Sequence, residues 1–549
     1  MQLAPNHNIL GTDVLDHIGL VAATIKEIKL IEIIDELIPV REVAKTTHGE
    51  RVAAMILNAL GFIDTRLYLF PKFMENKPVK KLFNKDLSFK DFNDFALGRT
   101  LDAINQYGET QLFSEIATKI ALKYNLFDKT INVDTTTLTL YGEYAEDELG
   151  LNPTPKHGYA KNKRNDLKQM ILLLAKTGPA NLPIYMEAHS GNASDKVTLE
   201  KATQRINNFC SKLKEVGDFL FVGDSAMYDN CVKNGHNIAW LSRVPTTHKK
   251  CKELLQAKDI NWQDLDDIYK ICPIANTISG KSQRWVLHFS QEAYERETLT
   301  LEKNVKKEHE NLSKEAWHLE NQLFGCQKDL ENSTIALSKK MKYHTLSYAI
   351  ETVNKYTKEG RPSAKTIPEK VFLKARITLT TNQQAIENAK ESKGRFILAT
   401  NELNEKKLAD NDFLKEYKKQ SGIESGFKFI KDDTFEVDSV YLKKSSRISA
   451  LMSIMTSTLL VYNLMQHLLR KKINEAGIEI PAQKKNTYTS NPSLKWVFKL
   501  FDGVSVLKVE IDKKIIEFVM NMDTWRRKLV KLMGEIACSI YGVIENDVQ

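Results

Sequence analysis

The sequence predicts an α/β protein: a mixed five-stranded core with helices on both faces, a helical N-terminal domain and a large α+β insertion that contains a long coiled-coil-like helix. Three observations carry this. Helical periodicity runs through residues 1–126. Strand-length runs rich in β-branched and apolar residues begin at about residue 129. A heptad-patterned stretch within 246–410 then interrupts those runs before helical patterning resumes.

At 549 residues the chain has length for about three or four domains and a sizeable core. A hydrophobic share of 42% and a charged share of 27% are those of a globular protein. The net charge of +9 suits a polyanionic partner but does not identify one. Six cysteines include no Cys-x-x-Cys pair and no histidine partner at zinc spacing, so they read as reduced thiols of a cytosolic protein. The first eight residues hold no basic region before an apolar run, so no signal peptide is expected. Residues 448–469 carry no Asp, Glu, Lys or Arg and are long enough to cross a bilayer. Ser449, Ser453, Thr456, Ser457, Thr458, Asn463 and Gln466 punctuate them, and a buried core helix explains the stretch better than a membrane span.

In chain order, Thr47-His-Gly-Glu50 is a capping box ahead of Val52, Ala53, Ile56, Leu57 and Leu60 on one helical face. Residues 92–107 and 111–124 read as two further helices; such a helical domain either packs on the core or binds DNA ends. Strands follow at 129–140, 168–175 and 182–188, with Gly178-Pro179 marking the turn between the last two. Short links suggest an antiparallel meander. Residues 191–216 open with Ser194 or Asp195 as N-cap and continue as an amphipathic helix. Residues 219–224 form an apolar strand ending on Asp224, and 237–244 form the next strand. The order β-β-β-α-β-α-β is that of a ribonuclease-H-like fold.

Within the insertion, Val305, Leu312, Leu319 and Cys326 recur every seven residues, with Ala316, Leu323, Leu330 and Leu337 four residues later. This predicts one long helix in a coiled-coil-like contact, either with another helix of the insertion or with a second subunit. Residues 371–380 and 395–399 read as strands and 358–365 as a loop. Helices are expected at 411–431 and 446–472, then a linker at 474–494 and a small tail module. The expected domains are 1–126, the core halves 127–245 and 411–475, the insertion 246–410, and the linker and C-terminal module 476–549.

Asp134 is the odd member of its strand, because a buried ionised carboxylate is costly unless it is paired or binds a metal. Together the motifs resemble the DDE transposases of bacterial insertion sequences. More narrowly they are similar to a long-chain branch whose core is interrupted before its third acid and which carries a Tyr-x2-Arg-x3-Glu-x6-Lys signature. Tyr417, Gln420, Glu424 and Lys431 stand at those spacings, with Gln420 in place of the arginine. Val133-Asp-Thr-Thr-Thr137 resembles the first-acid strand, and Phe221-Val-Gly-Asp-Ser-Ala226 the second-acid strand end. Residues 156–170 resemble the segment leading into the second strand, and 492–501 the long-chain tail.

The resemblance implies a metal-dependent enzyme with Asp134, Asp224 and Glu424 as catalytic and metal-holding residues. Two Mg²⁺ ions, with Mn²⁺ as a substitute, would be bridged by Asp134, while Asp224 and Glu424 each hold mainly one. It also implies phosphate contacts by Tyr417, residue 420 and Lys431, although Gln420 brings neither charge nor a bidentate fork. Lys161, Lys163 and Arg164 lie in a loop between core strands and are the best basic cluster for DNA binding. The implied activity is binding of the element's terminal inverted repeats, cleavage of its ends and joining of the 3′-hydroxyls to target DNA. A homodimer on paired ends is expected, in the bacterial cytoplasm at the nucleoid, with no membrane partner. Two alternatives are a catalytically inactive DNA-binding derivative and a ribonuclease-H-like structure-specific nuclease.

Overall fold

Residues His7–Val14 form a strand, β1, that pairs antiparallel with Ser505–Ile511, so the N-terminal helical region begins by joining the tail. Ser505–Ile511 in turn pairs with Lys514–Met520, which completes a three-stranded sheet. The structure is a computed structural model that describes residues 7–61, 70–141, 144, 152–159, 164–193, 202–209, 219–234, 238–278, 281–357, 367–431, 442 and 444–544. The chain divides into two compact units, 1–242 with 414–549, and 243–413.

In the first unit, helices Ile18–Glu27, Leu30–Leu37, His48–Leu60, Asp94–Tyr107 and Glu109–Lys123 dominate the N-terminal region. The capping box is present as expected. The Thr47 hydroxyl accepts from the Glu50 amide at 3.1 Å, and the Glu50 carboxylate accepts from the Thr47 amide at 2.8 Å. Gly49 is required by close approach, since a Cβ there would lie 2.3 Å from the carbonyl oxygen of Ile31.

The core strands are β2 (Thr130–Leu140), β3 (Lys168–Thr177), β4 (Leu182–Ser190), β5 (Leu220–Gly223) and β6 (Ala239–Arg243). Their spatial order is β4-β3-β2-β5-β6. β2, β3 and β4 form the antiparallel meander, whereas β5 runs parallel to β2 and β6 parallel to β5. This is the strand order and sense of a ribonuclease-H-like core. Gly178 turns β3 into β4 with φ +73°, where a side chain would be strained and would meet the Leu126 carbonyl.

Successive residues of a strand face opposite sides of a sheet. Met170, Leu172 and Leu174 of β3 join Leu138 and Leu140 of β2 in one cluster with the N-terminal helices and with helices Ser421–Ile430 and Ser445–Glu475. The other face carries Tyr185 and Glu187. There Arg205, within helical residues 202–209, pairs with Glu187, and Phe209 meets the Tyr185 ring at 6.0 Å. Helices therefore cover both faces. The expected cap at Ser194 or Asp195 and the expected loop at 358–365 lie outside the described residues.

Helix Ser445–Glu475 contains the apolar stretch of membrane-spanning length, and 83% of its most apolar window is buried inside the protein. Three of its buried hydroxyls are satisfied within the helix: Thr456 donates to the Met452 carbonyl at 2.8 Å, Ser457 to Ser453 and Thr458 to Ile454, each at 2.9 Å, whereas the Ser445 and Ser449 hydroxyls find no partner among the described residues. It is a core helix.

In the second unit, β7 (Gln263–Asp264), β8 (Tyr269–Ile278), β9 (Lys281–Ser290) and β12 (Arg395–Thr400) lie in the order β12-β9-β8-β7. A separate hairpin joins β10 (His344–Lys355) to β11 (Lys370–Thr381). Of these strands only β11 and β12 were legible from the sequence. The heptad stretch is not one continuous helix. It forms helix Gln291–Glu320, reverses, and continues as helix Gln327–Ser338. The break is held by Phe324, 5% exposed, whose backbone exchanges hydrogen bonds of 2.9 and 2.8 Å with Leu373 of the hairpin. Leu312 and Ala316 meet Leu337 across the reversal, and Leu346, Ile377 and Leu379 of the hairpin pack against them. The partner of the heptad face is thus the insertion itself.

Substituting Gly49→Ala should lower stability by about 1–3 kcal/mol, because the methyl collides with backbone rather than with a movable side chain. Urea denaturation monitored by circular dichroism checks this; an unchanged midpoint would contradict the packing described.

Candidate active site

Ten of the eleven residues of β2 are buried, and Asp134 alone is half-exposed. Its carboxylate accepts from the Thr135 amide at 2.7 Å. The parallel pairing aligns Thr130 with Leu220, Ile131 with Phe221 and Asn132 with Val222. Continued by two residues, that register sets Asp134 beside Asp224 on the same face of the sheet, at the carboxyl end of the parallel pair. Asp224 lies between the end of β5 and helix Ser225–Asn234. Its carboxylate accepts from the Ala226 amide at 2.9 Å, and its carbonyl accepts from the Ser242 hydroxyl at 2.6 Å.

Thr130, Asn132 and Asp134 alternate onto one face of β2, and Lys176 of β3 is the direct cross-strand partner of Asn132. The segment carrying Tyr417, Gln420 and Glu424 is fastened to this face. The Thr130 hydroxyl donates to the Glu416 carboxylate, and the Lys419 ammonium bridges Glu416 at 2.8 Å and Asp128 at 2.7 Å. Burial alone would lower the Lys419 pKa, but its hydrogen bonds to the two carboxylates outweigh that and raise it. Lys176 Nζ then donates to the Gly422 carbonyl at 3.1 Å.

Helix Ser421–Ile430 buries Ile423, Gly426, Phe427 and Ile430. Two glycines let it lie close: a Cβ at Gly426 would meet Lys176 Nζ at 2.1 Å, and one at Gly422 would meet the Asn181 amide oxygen at 2.0 Å. Glu424 stands about 200° around the helix from Gly422, on the flank turned away from the β3–β4 turn, and is exposed. The structure thus sets Asp134 and Asp224 side by side by register and puts Glu424 on the helix that covers their face. Among the described residues no three Asp, Glu, His or Cys side chains are gathered closely enough to hold one metal ion.

The other expected site residues fall in varied settings. Tyr417 is half-exposed in helix Phe413–Lys418, Lys431 is exposed at the C-cap of Ser421–Ile430, and Gln420 is buried at 8% exposure. Lys161 and Lys163 lie outside the described residues, while exposed Arg164 forms a bidentate pair with Asp166 at 2.9 and 2.8 Å. Two further arginines serve the fold. Arg447 is held bidentately by Asp102 at 2.7 and 2.6 Å, and Arg526 donates to the carbonyls of Leu500, Asn521 and Asp502. Trp285 and Trp240 are core residues, whereas Trp317 on the insertion's long helix is 60% exposed.

The family description "Transposase DDE domain" matches residues 126–464. The chain belongs to the DDE transposases. A second description, "Domain of unknown function (DUF4277)", matches residues 10–118. No curated protein matches the chain. Among solved structures, the piggyBac transposase synaptic complex with hairpin DNA, determined by cryo-EM, is 8% identical, with 90% of this chain and 82% of that one covered. Its TM-score of 0.36 is too low to bear on fold or mechanism.

DDE transposases work with divalent metal ions, and carboxylate oxygens are the donor type that a hard cation takes. Asp134 and Asp224 offer carboxylate oxygens side by side, and the described cysteines lie elsewhere in the chain. What sequence reasoning missed is Lys176. It reads there as one polar residue at the end of a strand, yet it is 2% exposed beneath the Glu424 helix, and burial pushes its pKa down to about 7. The pairing of a β3 lysine with a Gly-x-x-x-Gly stretch was the available signal.

Between pH 7 and the ordinary lysine range the unfolded chain binds a proton that the folded chain does not, so this residue makes stability rise with pH across that window. Lys176→Met should therefore melt above the parent protein below pH 7, with the difference shrinking as pH approaches 10. Melting temperatures of the two proteins across pH 6–10 check this; a constant difference would contradict a desolvated Lys176.

Proposed function

We propose that this transposase binds the terminal inverted repeats of its own insertion sequence, cleaves the element's ends by metal-dependent phosphodiester hydrolysis and joins the freed 3′-hydroxyls to target DNA. The observation that carries the reading is the β2–β5 register, which sets Asp134 beside Asp224 on the face covered by the Glu424 helix. Asp134, Asp224 and Glu424 would hold two Mg²⁺ ions, with Mn²⁺ as a substitute. Two such ions supply an activated oxygen nucleophile and stabilise the leaving oxygen.

The chain's own residues do the positioning. The rigid pairing of β2 with β5 presents two carboxylates with little conformational freedom. The Thr130–Glu416 and Asp128–Lys419 contacts hold the start of the Glu424 segment against β2. Three ionised carboxylates repel one another at short range, so drawing Glu424 toward the two aspartates requires positive charge between them. Tyr417 and Lys431 flank Glu424 on the same segment and are the proposed phosphate contacts. Gln420, buried beside them, supplies at most a neutral hydrogen bond. Arg164, with Lys161 and Lys163, is the proposed contact from the loop before β3. A homodimer would hold two ends together, in the bacterial cytoplasm where DNA is available.

One alternative draws support from particular residues. An exposed Glu424 and a glutamine at position 420 favour a derivative that binds ends without cutting.

Purified protein incubated with DNA flanking its gene and Mg²⁺ tests the proposal. Cleavage at the element's ends is expected, and Asp134→Ala, Asp224→Ala and Glu424→Ala should each reduce it to background while leaving DNA binding in place. Full cleavage by all three variants would refute the assignment, and binding without any cleavage by the parent protein would favour the inactive derivative.

A further inference from the structure

The helix that carries Glu424 has a second functional flank. A groove of about 500 Å³ lies between helix Ser421–Ile430, helix Ser445–Glu475, helix Leu494–Leu500 and the β3–β4 turn. It borders the side of the helix marked by Ser421, Gly422 and Ser425, and Lys428, one turn on from Glu424, forms its edge. Its lining includes Lys428, His467, Arg470 and Lys495, and no Asp or Glu. Lys428, Arg470 and Lys495 are the charged residues of its lining, so its charge is of one sign.

The groove is built rather than incidental. Arg470 Nε donates to the Pro492 carbonyl at 2.8 Å, which fixes the guanidinium; among the described residues its terminal nitrogens have no acceptor. The Asn463 amide donates to the Asn181 carbonyl at 2.8 Å, tying the long helix to the β3–β4 turn. Gln466 accepts from the Leu494 amide at 2.9 Å and so sets the start of the helix bearing Lys495. Burial, then the charges of Lys471 and Arg470, hold His467 below its ordinary pKa, as expected in a positive field. Ser421, Ser425, Lys428 and Lys495 are exposed, so the groove is open to a continuous chain rather than closed around a small molecule.

We propose that this groove binds DNA phosphodiester backbone, holding the duplex along the flank of the helix next to Glu424. Lysine, arginine and neutral amide donors with no carboxylate match a phosphate ester and reject acidic surfaces. Such contacts position a duplex without reading its sequence. The proposal rests on the reading that the chain acts on DNA, but it does not depend on catalysis.

Fluorescence anisotropy in EDTA tests it with two labelled duplexes, one from DNA flanking the gene and one of unrelated plasmid sequence, across a KCl series. Lys428→Glu and Lys495→Glu should each weaken binding by about 10-fold or more and make the slope of log K against log salt shallower by about one. Lys428→Arg should bind like the parent. Both lysines are exposed, so melting temperatures should not move. Equal losses on both duplexes assign the groove to backbone common to both. A loss on the flanking duplex alone assigns it to the element's end, and a loss on the unrelated duplex alone assigns it to target DNA. Parental affinity and slope in both Glu variants would overturn the proposal, as would a defect seen only with an RNA duplex or a loss that Lys428→Arg shares. End cleavage in Mg²⁺, measured in parallel, separates the two readings. Groove-dependent binding without cleavage contradicts transposition alone, and cleavage with groove-independent binding contradicts the groove alone.

Discussion

The parallel pairing of β2 with β5 is the constraint on which the site depends. β2 is buried along its length except at Asp134, and β5 is apolar up to the residue before Asp224. Apolar burial on both faces fixes which residues of each strand point which way, because a slip of one residue would turn every side chain to the other face. Once Asn132 stands against Val222, the two acids two residues further on are neighbours without any further instruction. The cost of an acid in such a strand is kept low by placing it where burial ends.

Glu424, the proposed third acid, is placed differently. It is carried by a helix that is not part of the sheet and must be docked on it. Glu416, Lys419 and Lys176 do this with hydrogen bonds that link the segment to β2, to the stretch before it and to β3, and two glycines remove the side chains that would hold the helix away. Docking of this kind leaves more freedom than strand pairing, in keeping with the exposed setting of Glu424. The same helix carries Glu424 and, one turn on, Lys428, which lines the basic groove with Arg470 and Lys495.

Much of this was legible in the sequence, for local reasons. The Thr47 capping box, the strand runs at 129–140, 168–175 and 182–188, the turn at Gly178 and the buried apolar helix at 448–469 all express short-range periodicity or turn chemistry. The heptad stretch was misread as one helix, since the periodicity continues through the reversal at Phe324 while the backbone does not. Pairing of His7–Val14 with Ser505–Ile511 joins the two ends of the chain, and no local pattern specifies a partner so distant. Strand β10 lacks a clean alternation because much of it is exposed on both sides. Lys176 and the basic groove were hidden for the same reason: each is made by residues from several elements, and single residues of those types are common on any surface.

Anomalous diffraction from crystals of this protein soaked in Mn²⁺ tests the central claim most directly. The account predicts a manganese peak bound by the carboxylates of Asp134 and Asp224 in the parent protein and its loss in Asp134→Asn. Ordered manganese only at other positions, with those two carboxylates bare, would contradict it.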